Sequence, residues 1–315
     1  MRPLSLKLTC GALSAFLLVA LPVRAGPDSL TETAVKRFFL ASVDDRCHRL
    51  DDAAAMAVKA GYLQARNASI RATGNMDALN PFLARAAEVA DQIACDAPQL
   101  QAQIDAANGA YRLYAMQPRL ELPSGRAEWV ADRTLAQQSA WRLVQYQGDA
   151  ALGLYGPLSD ARFVVMADFG DDQPYAARLL VRNTDVLASG YINHAAYGLS
   201  DQRPAGFDDA SALTFPASGH SEQTVALAPT VHVNDVGISA RGTYVGPQQG
   251  PVDAVRFDFP NRAYAAIARL DPREDIVVAF DFADGTTRYA RFEVGDFVTG
   301  LTYVTLPSPY GQKVG

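Results

Sequence analysis

The sequence predicts a multidomain α+β protein: an N-terminal four-helix up-down bundle followed by an antiparallel β-sandwich or open barrel that holds one short helix. Three observations predict it. Residues 31–116 are rich in Ala, Leu, Gln and Arg and poor in β-branched pairs, which favours helix. From Trp141 onward the chain turns into short β-branched and aromatic runs separated by Gly, Pro and Asp. The 315 residues, 49% apolar and 20% charged, also have the composition of an ordinary globular protein with room for about two domains.

Residues 1–25 read as a secretory signal peptide, with Arg2 and Lys7 ahead of an apolar run over 12–21 and small residues around Ala25. The run is shorter than the ~20 residues that span a bilayer, and no later stretch is long and apolar enough. Cys10 precedes the main apolar run, whereas lipoprotein processing places its cysteine after it. Cleavage removes Arg2, Lys7 and Arg24 and takes the formal net charge from −6 to −9. The expectation is a soluble, exported chain, periplasmic or secreted. Its acidity opposes phosphate backbones, and no Lys/Arg cluster with interleaved aromatics overrides that balance, so nucleic acid is excluded as a partner class.

The bundle is expected over 26–117. In its first helix Val35, Phe39, Val43, Cys47 and Leu50 recur at three- and four-residue steps and share one face, which turns Cys47 toward the core. A second helix is expected to start at Asp51-Asp52, whose carboxylates suit a helix N-terminus, and to stop near Gly74. "NPF" marks the third, with Asn80 as its cap, Pro81 in its first turn, and Phe82, Ala86, Val89 and Ile93 as its buried stripe. The fourth begins around Asp96 to Pro98 and buries Leu100, Ile104, Ala107 and Tyr111. Short turns between four helices predict antiparallel packing.

That packing places the ends bearing Cys47 and Cys95 together. They are the two cysteines left after cleavage, so a structural disulfide is expected in an oxidising compartment. The neighbourhood "ASVDDRCHRLDD" also raises other chemistries. A c-type haem needs C-x-x-C-H, zinc needs further nearby Cys or His ligands, and a thiol oxidoreductase favours C-x-x-C; the stretch has none of these. His48 reads as a surface histidine near a helix end, and no metal or cofactor is expected.

Residues 118–140, with Pro118, Pro123 and Gly125, read as a linker. The β domain is expected over 141–306, with strands in "WRLVQYQ", "ARFVVMADF", "ARLLVRN", "QTVALA", "VDAVRFDF", "DIVVAFDF" and "TTRYARFEV". Asp284-Gly285 predicts a tight hairpin turn between the last two. "NRAYAAIARLDP" predicts a short helix capped by Asn261, and residues 307–315 form a C-terminal tail. The order of this half, from a tryptophan start through many strands to a hairpin and Gly-Asp-Phe, resembles exported β-domains of the invasion-associated locus B type. The domain lacks the cysteines those proteins carry, the resemblance implies an exported accessory protein without naming a catalytic residue, and no family is assigned on it.

Enzyme constellations are scarce. There is no Gly-x-Ser-x-Gly, H-E-x-x-H, P-loop or G-x-G-x-x-G, and "DFGDDQ" lacks the EF-hand spacing. No catalytic residue is nominated. The best candidate ligand stretch is the irregular "SGYINHAAYGLSDQRPAGFDD", with Tyr191, Asn193, His194, Tyr197 and Phe207 as candidate contacts, because long loops in compact domains often bind. The leading expectation is a non-catalytic binding or accessory module with a protein or glycan partner. The alternative is an exported hydrolase using His194, His220 or His232 with a nearby acid.

Overall fold

The computed structural model describes residues 27–190, 192, 198–227, 230–232, 244–247 and 251–307. The signal-peptide reading and the tail beyond 307 lie outside them. Four helices come first, α1 (Pro27–Cys47), α2 (Asp52–Thr73), α3 (Asn80–Gln92) and α4 (Pro98–Ala115). They are followed by β1 (Arg119–Leu122), β2 (Trp129–Asp132), β3 (Ala140–Gln147), β4 (Ala150–Gly156), β5 (Arg162–Ala167) and β6 (Ala176–Arg182). Then come β7 (Ala212–Pro216), β8 (Gly219–Val225), β9 (Thr230–His232), β10 (Tyr244–Pro247) and β11 (Val252–Phe259). The chain closes with α5 (Ala263–Ile267), β12 (Asp275–Asp281), β13 (Thr287–Glu293) and α6 (Phe297–Thr305).

The helical region forms as its side chains dictate. Asp51 caps α2, its carboxylate accepting the Ala54 amide at 2.7 Å, and Gly74 ends the helix in the left-handed conformation. The expected α4 stripe, Leu100, Ile104, Ala107 and Tyr111, is buried. The α3 expectation needs correction: Phe82 is 42% exposed, and the buried positions are Ala86 and Ala90 behind Leu79. A 3-10 turn over Met76–Leu79 precedes the helix and rotates its face, so Asn80 opens α3 instead of capping it and donates to Asp77 at 2.9 Å.

Cys47 and Cys95 are bonded, with their Cα atoms 5.6 Å apart. Because α3 ends at Gln92, Cys95 lies in the turn beyond it and is released from the helix face that would have aimed it away. Two arginines reinforce the same junction. Arg46 donates to the Ala90 carbonyl in the last turn of α3 at 2.9 Å, a cation set against a helix C-terminus, and Arg49 donates to the Cys95 carbonyl in the turn beyond at 2.6 Å.

Seven strands form one antiparallel sheet in the order β1-β2-β3-β4-β5-β11-β8, and four form another in the order β13-β12-β6-β7; β9 and β10 pair separately. Both large sheets are open. They face each other across apolar side chains, with the rings of Phe257 (β11) and Phe280 (β12) 5.9 Å apart. The β12–β13 hairpin turns as expected, with Gly285 at φ +84° and Asp284 accepting the Thr286 amide at 2.9 Å.

Three further features differ from the sequence expectation. Residues 119–122 and 129–132, read as linker, are the strands β1, at the sheet edge, and β2, paired between β1 and β3. The turn between them wraps the buried Glu293 carboxylate, which accepts the amides of Gly125 at 2.9 Å and Arg126 at 2.7 Å. Asn261 does not cap α5: the carbonyls of Pro260 and Asn261 already accept from Ala263 and Tyr264 at 3.0 Å each, so the turn starts upstream and Arg262 takes the cap position without a side-chain bond. The third is α6, which packs between α2 and the first sheet.

The helices and sheets share one core. A contiguous cluster of buried apolar side chains runs from Ala41 and Val43 through Ala54, Leu100, Tyr114, Trp129, Phe163 and Phe292 to Tyr303 and Leu306. A polar contact seals the seam, where fully buried Asp296, just before α6, accepts from Asn67 at 2.9 Å and from Arg71 at 3.1 Å, both on α2.

Candidate functional site

Of the segment 189–209, singled out from sequence, the stretch from Ser200 to Phe207 lies on the face of the four-stranded sheet turned away from the shared core. Ser200 bridges to Tyr289 of β13, with backbone bonds of 3.0 and 2.7 Å, and Phe207 packs on Leu180, Val277 and Ala279. Leu180 shares its face of β6 with Arg178 and Arg182, because alternate strand residues point the same way. Both arginines make two-point contacts with acids: Arg178 with Asp281 at 3.0 and 2.7 Å, and Arg182 with Glu274 at 2.7 and 2.8 Å.

The second pair is the floor of a cavity of about 200 Å³. Ser189 and Gly190 line it from one end of the segment, Gly206 and Phe207 from the other, and Leu187 completes the wall. Arg182 and Glu274 are 6% and 3% exposed as side chains, so this ion pair is buried and its two-point geometry is what makes burial tolerable. The third nitrogen of Arg182 donates to the Leu187 carbonyl, and Glu274 Oε1 also accepts the Asp271 amide at 2.8 Å. The hydrogen bond to Glu274 holds the Arg182 guanidinium above its ordinary pKa. Gly190 is required here by close approach, since a Cβ on it would sit 2.1 Å from the Glu274 carboxyl carbon.

Chemically, this arrangement suits binding. The carboxylate is filled by the Arg182 guanidinium and a backbone amide, so it is poorly placed to move a proton, and among the described residues no histidine lines the cavity. Aspartates stand close to the lining residues in the chain. Asp185 pairs with Arg269 at 2.7 Å and Asp209 with Arg203 at 2.6 Å. Asp208, beside Phe207, accepts the amides of Ala210 and Ser211 at 3.0 Å, and among the described residues no salt bridge is formed by it. The Ser211 hydroxyl, desolvation notwithstanding, holds Asp208 below the usual carboxylate range.

Of the five candidate contacts, Phe207 reaches the cavity. Tyr191, Asn193, His194 and Tyr197 lie outside the described residues. Sequence reading missed Arg182, Glu274 and Leu187. The available signal was the two charges bracketing apolar runs in "ARLLVRN" and "REDIVVAF"; what joins them is strand pairing across 92 positions, which no local pattern displays.

The remaining candidates have structural partners. In "ASVDDRCHRLDD", Asp44 accepts the amides of Arg49 and Leu50 at 2.9 and 2.7 Å, Asp45 pairs with Lys59 at 2.7 Å, and Asp51 caps α2. No cluster of three or more metal-ligating side chains occurs among the described residues. His220 is exposed on β8 and stacks on Phe257, ring centroids 5.9 Å apart. His194 and the side chain of His232 are outside the described residues. Among the described residues no helix is long and apolar enough to cross a membrane. Comparison with protein-family models, with curated proteins and with solved structures finds no match for the chain.

Proposed function

We propose that the chain is an exported, non-catalytic binding or accessory module that engages a protein or glycan partner through the face around the Arg182–Glu274 cavity. One observation carries the reading: the two ends of the 189–209 segment converge on a cavity whose charged floor is internally neutralised and whose walls are Leu187 and Phe207. A few fixed polar groups among apolar walls is the usual make-up of a recognition site. The Cys47–Cys95 bond suits the oxidising compartment that the N-terminal sequence suggests.

The test is cross-linking and pull-down from the exported fraction with wild type and with Val186→Glu, since Val186 is 59% exposed beside Leu187 and can change without disturbing the core. A partner enriched by wild type and lost by V186E supports the reading. Equal enrichment by both, or none by either, counts against it. The hydrolase alternative, on His194, His220 or His232, is tested separately by replacing each with Ala and assaying ester and peptide hydrolysis.

A further inference from the structure

We infer that the cavity receives a single uncharged apolar side chain, aliphatic or aromatic, presented by a protein partner with a cation next to it; this deepens the proposed function and rests on its placement of the binding face. Size is the first argument. At about 200 Å³ the cavity is smaller than the ~300–1,000 Å³ of sites that enclose a whole small molecule, and it suits one anchoring side chain. Charge is the second. Arg182 and Glu274 already satisfy each other at 2.7 and 2.8 Å, so a charged group entering would be desolvated without gaining a partner. Leu187 and Phe207 instead offer dispersion contact, and Val186, 59% exposed, extends the apolar surface outward. Buried anchors of this kind supply most of the affinity of many protein interfaces.

The aspartates next to the lining residues in the chain specify the neighbour. The carboxylates of Asp185 and Asp209 are each matched by an arginine, whereas Asp208, next in the chain to Phe207, forms no salt bridge among the described residues. A lysine or arginine beside the anchor completes that pairing, a contact screened by salt.

The experiment is an amide chemical-shift titration of the disulfide-bonded chain with acetyl-leucine amide, acetyl-glutamine amide and N-acetylglucosamine, and with capped Leu-Lys and Leu-Glu dipeptides at low and high salt. The expected result is saturable shifts at Leu187, Gly190, Gly206 and Phe207 with acetyl-leucine amide and at least tenfold weaker binding of acetyl-glutamine amide. Leu-Lys should bind several-fold more tightly than Leu-Glu at low salt, and the difference should shrink at high salt. Leu187→Trp, which fills the cavity, should abolish the shifts at the other three amides; if it does not fold, Val186→Asp should weaken the binding instead. Binding of N-acetylglucosamine or the glutamine probe without the leucine probe overturns the anchor, as does silence from every probe. Loss of the pulled-down partner in V186E would then still uphold the binding face, which separates failure of this inference from failure of the proposed function.

Discussion

Replacing Cys47 and Cys95 together by Ser removes a crosslink between positions 48 apart, and the cost follows from the chain it frees. Loop-closure entropy for a ring of that length is worth about 4 kcal/mol in the unfolded ensemble, a large share of the ~5–15 kcal/mol that holds a typical domain. Native contacts at the junction survive the change, because Arg46 and Arg49 still reach the carbonyls of Ala90 and Cys95 at 2.9 and 2.6 Å. The loss therefore comes chiefly from the unfolded state. Urea unfolding should show a lower midpoint and a steeper slope, since the freed chain exposes more surface. Two probes distinguish how far the loss spreads: circular dichroism reports the helices, and fluorescence reports Trp129 and Trp141, both in the seven-stranded sheet. With one apolar cluster running from α1 to Leu306, both probes should shift together. A loss under about 1 kcal/mol would refute the entropic estimate, and helices melting early over an unmoved tryptophan transition would refute the shared core. Thiol labelling of unreduced, denatured protein should find neither cysteine free.

Glu274→Gln should cost about 3–5 kcal/mol by leaving Arg182 buried without its counter-charge, whereas Arg182→Met with Glu274→Leu should recover most of it; urea melts of the three variants check this. Asp51→Asn should be near neutral and Asp51→Ala should cost about 1 kcal/mol, measured the same way, because Asn accepts the Ala54 amide as Asp does. Burial raises the pKa of Asp296 despite the nearby Arg71. Its contribution to stability is thus fully present below the unfolded carboxyl value of about 3.9 and is lost as pH rises through the raised folded value, so wild type should lose ground to Asp296→Asn over that window; a pH-independent gap in ΔG would sink the argument.

What the sequence displays is what its own neighbours enforce. Leu100, Ile104, Ala107 and Tyr111 are buried because a 3.6-residue period leaves them one face, and Asp51 caps because the amide it needs is three residues away. Phe82 breaks the pattern because the preceding Met76–Leu79 turn, with its tighter winding, resets the helix face. The strands β1 and β2 were hidden among prolines, since their stability comes from β3 and from Glu293, more than 160 positions away in the bonds to Gly125 and Arg126. The helix α6 is similar: "FVTGLTYVT" has the β-branched and aromatic content of a strand. Tertiary surroundings decide otherwise, with buried Phe297, Tyr303 and Val304 packed in the common core.

The same distinction explains the candidate site. Phe207 could be picked out because an aromatic in a long irregular segment is conspicuous, but its neighbours Arg182 and Glu274 sit in strand contexts where alternation assigns charges to solvent. They are buried because segment 199–211 folds back over that face and because each charge finds the other in two-point geometry. Gly190 then becomes necessary, as any Cβ there would meet the Glu274 carboxyl group. A buried ion pair contributes little net stability compared with well-packed apolar residues, so its presence under an apolar-walled cavity is better accounted for by what it shapes than by what it stabilises. It fixes the Leu187 carbonyl and the Asp271 amide on opposite sides of one planar contact, and so sets the cavity wall at Leu187 against the turn that leads into β12.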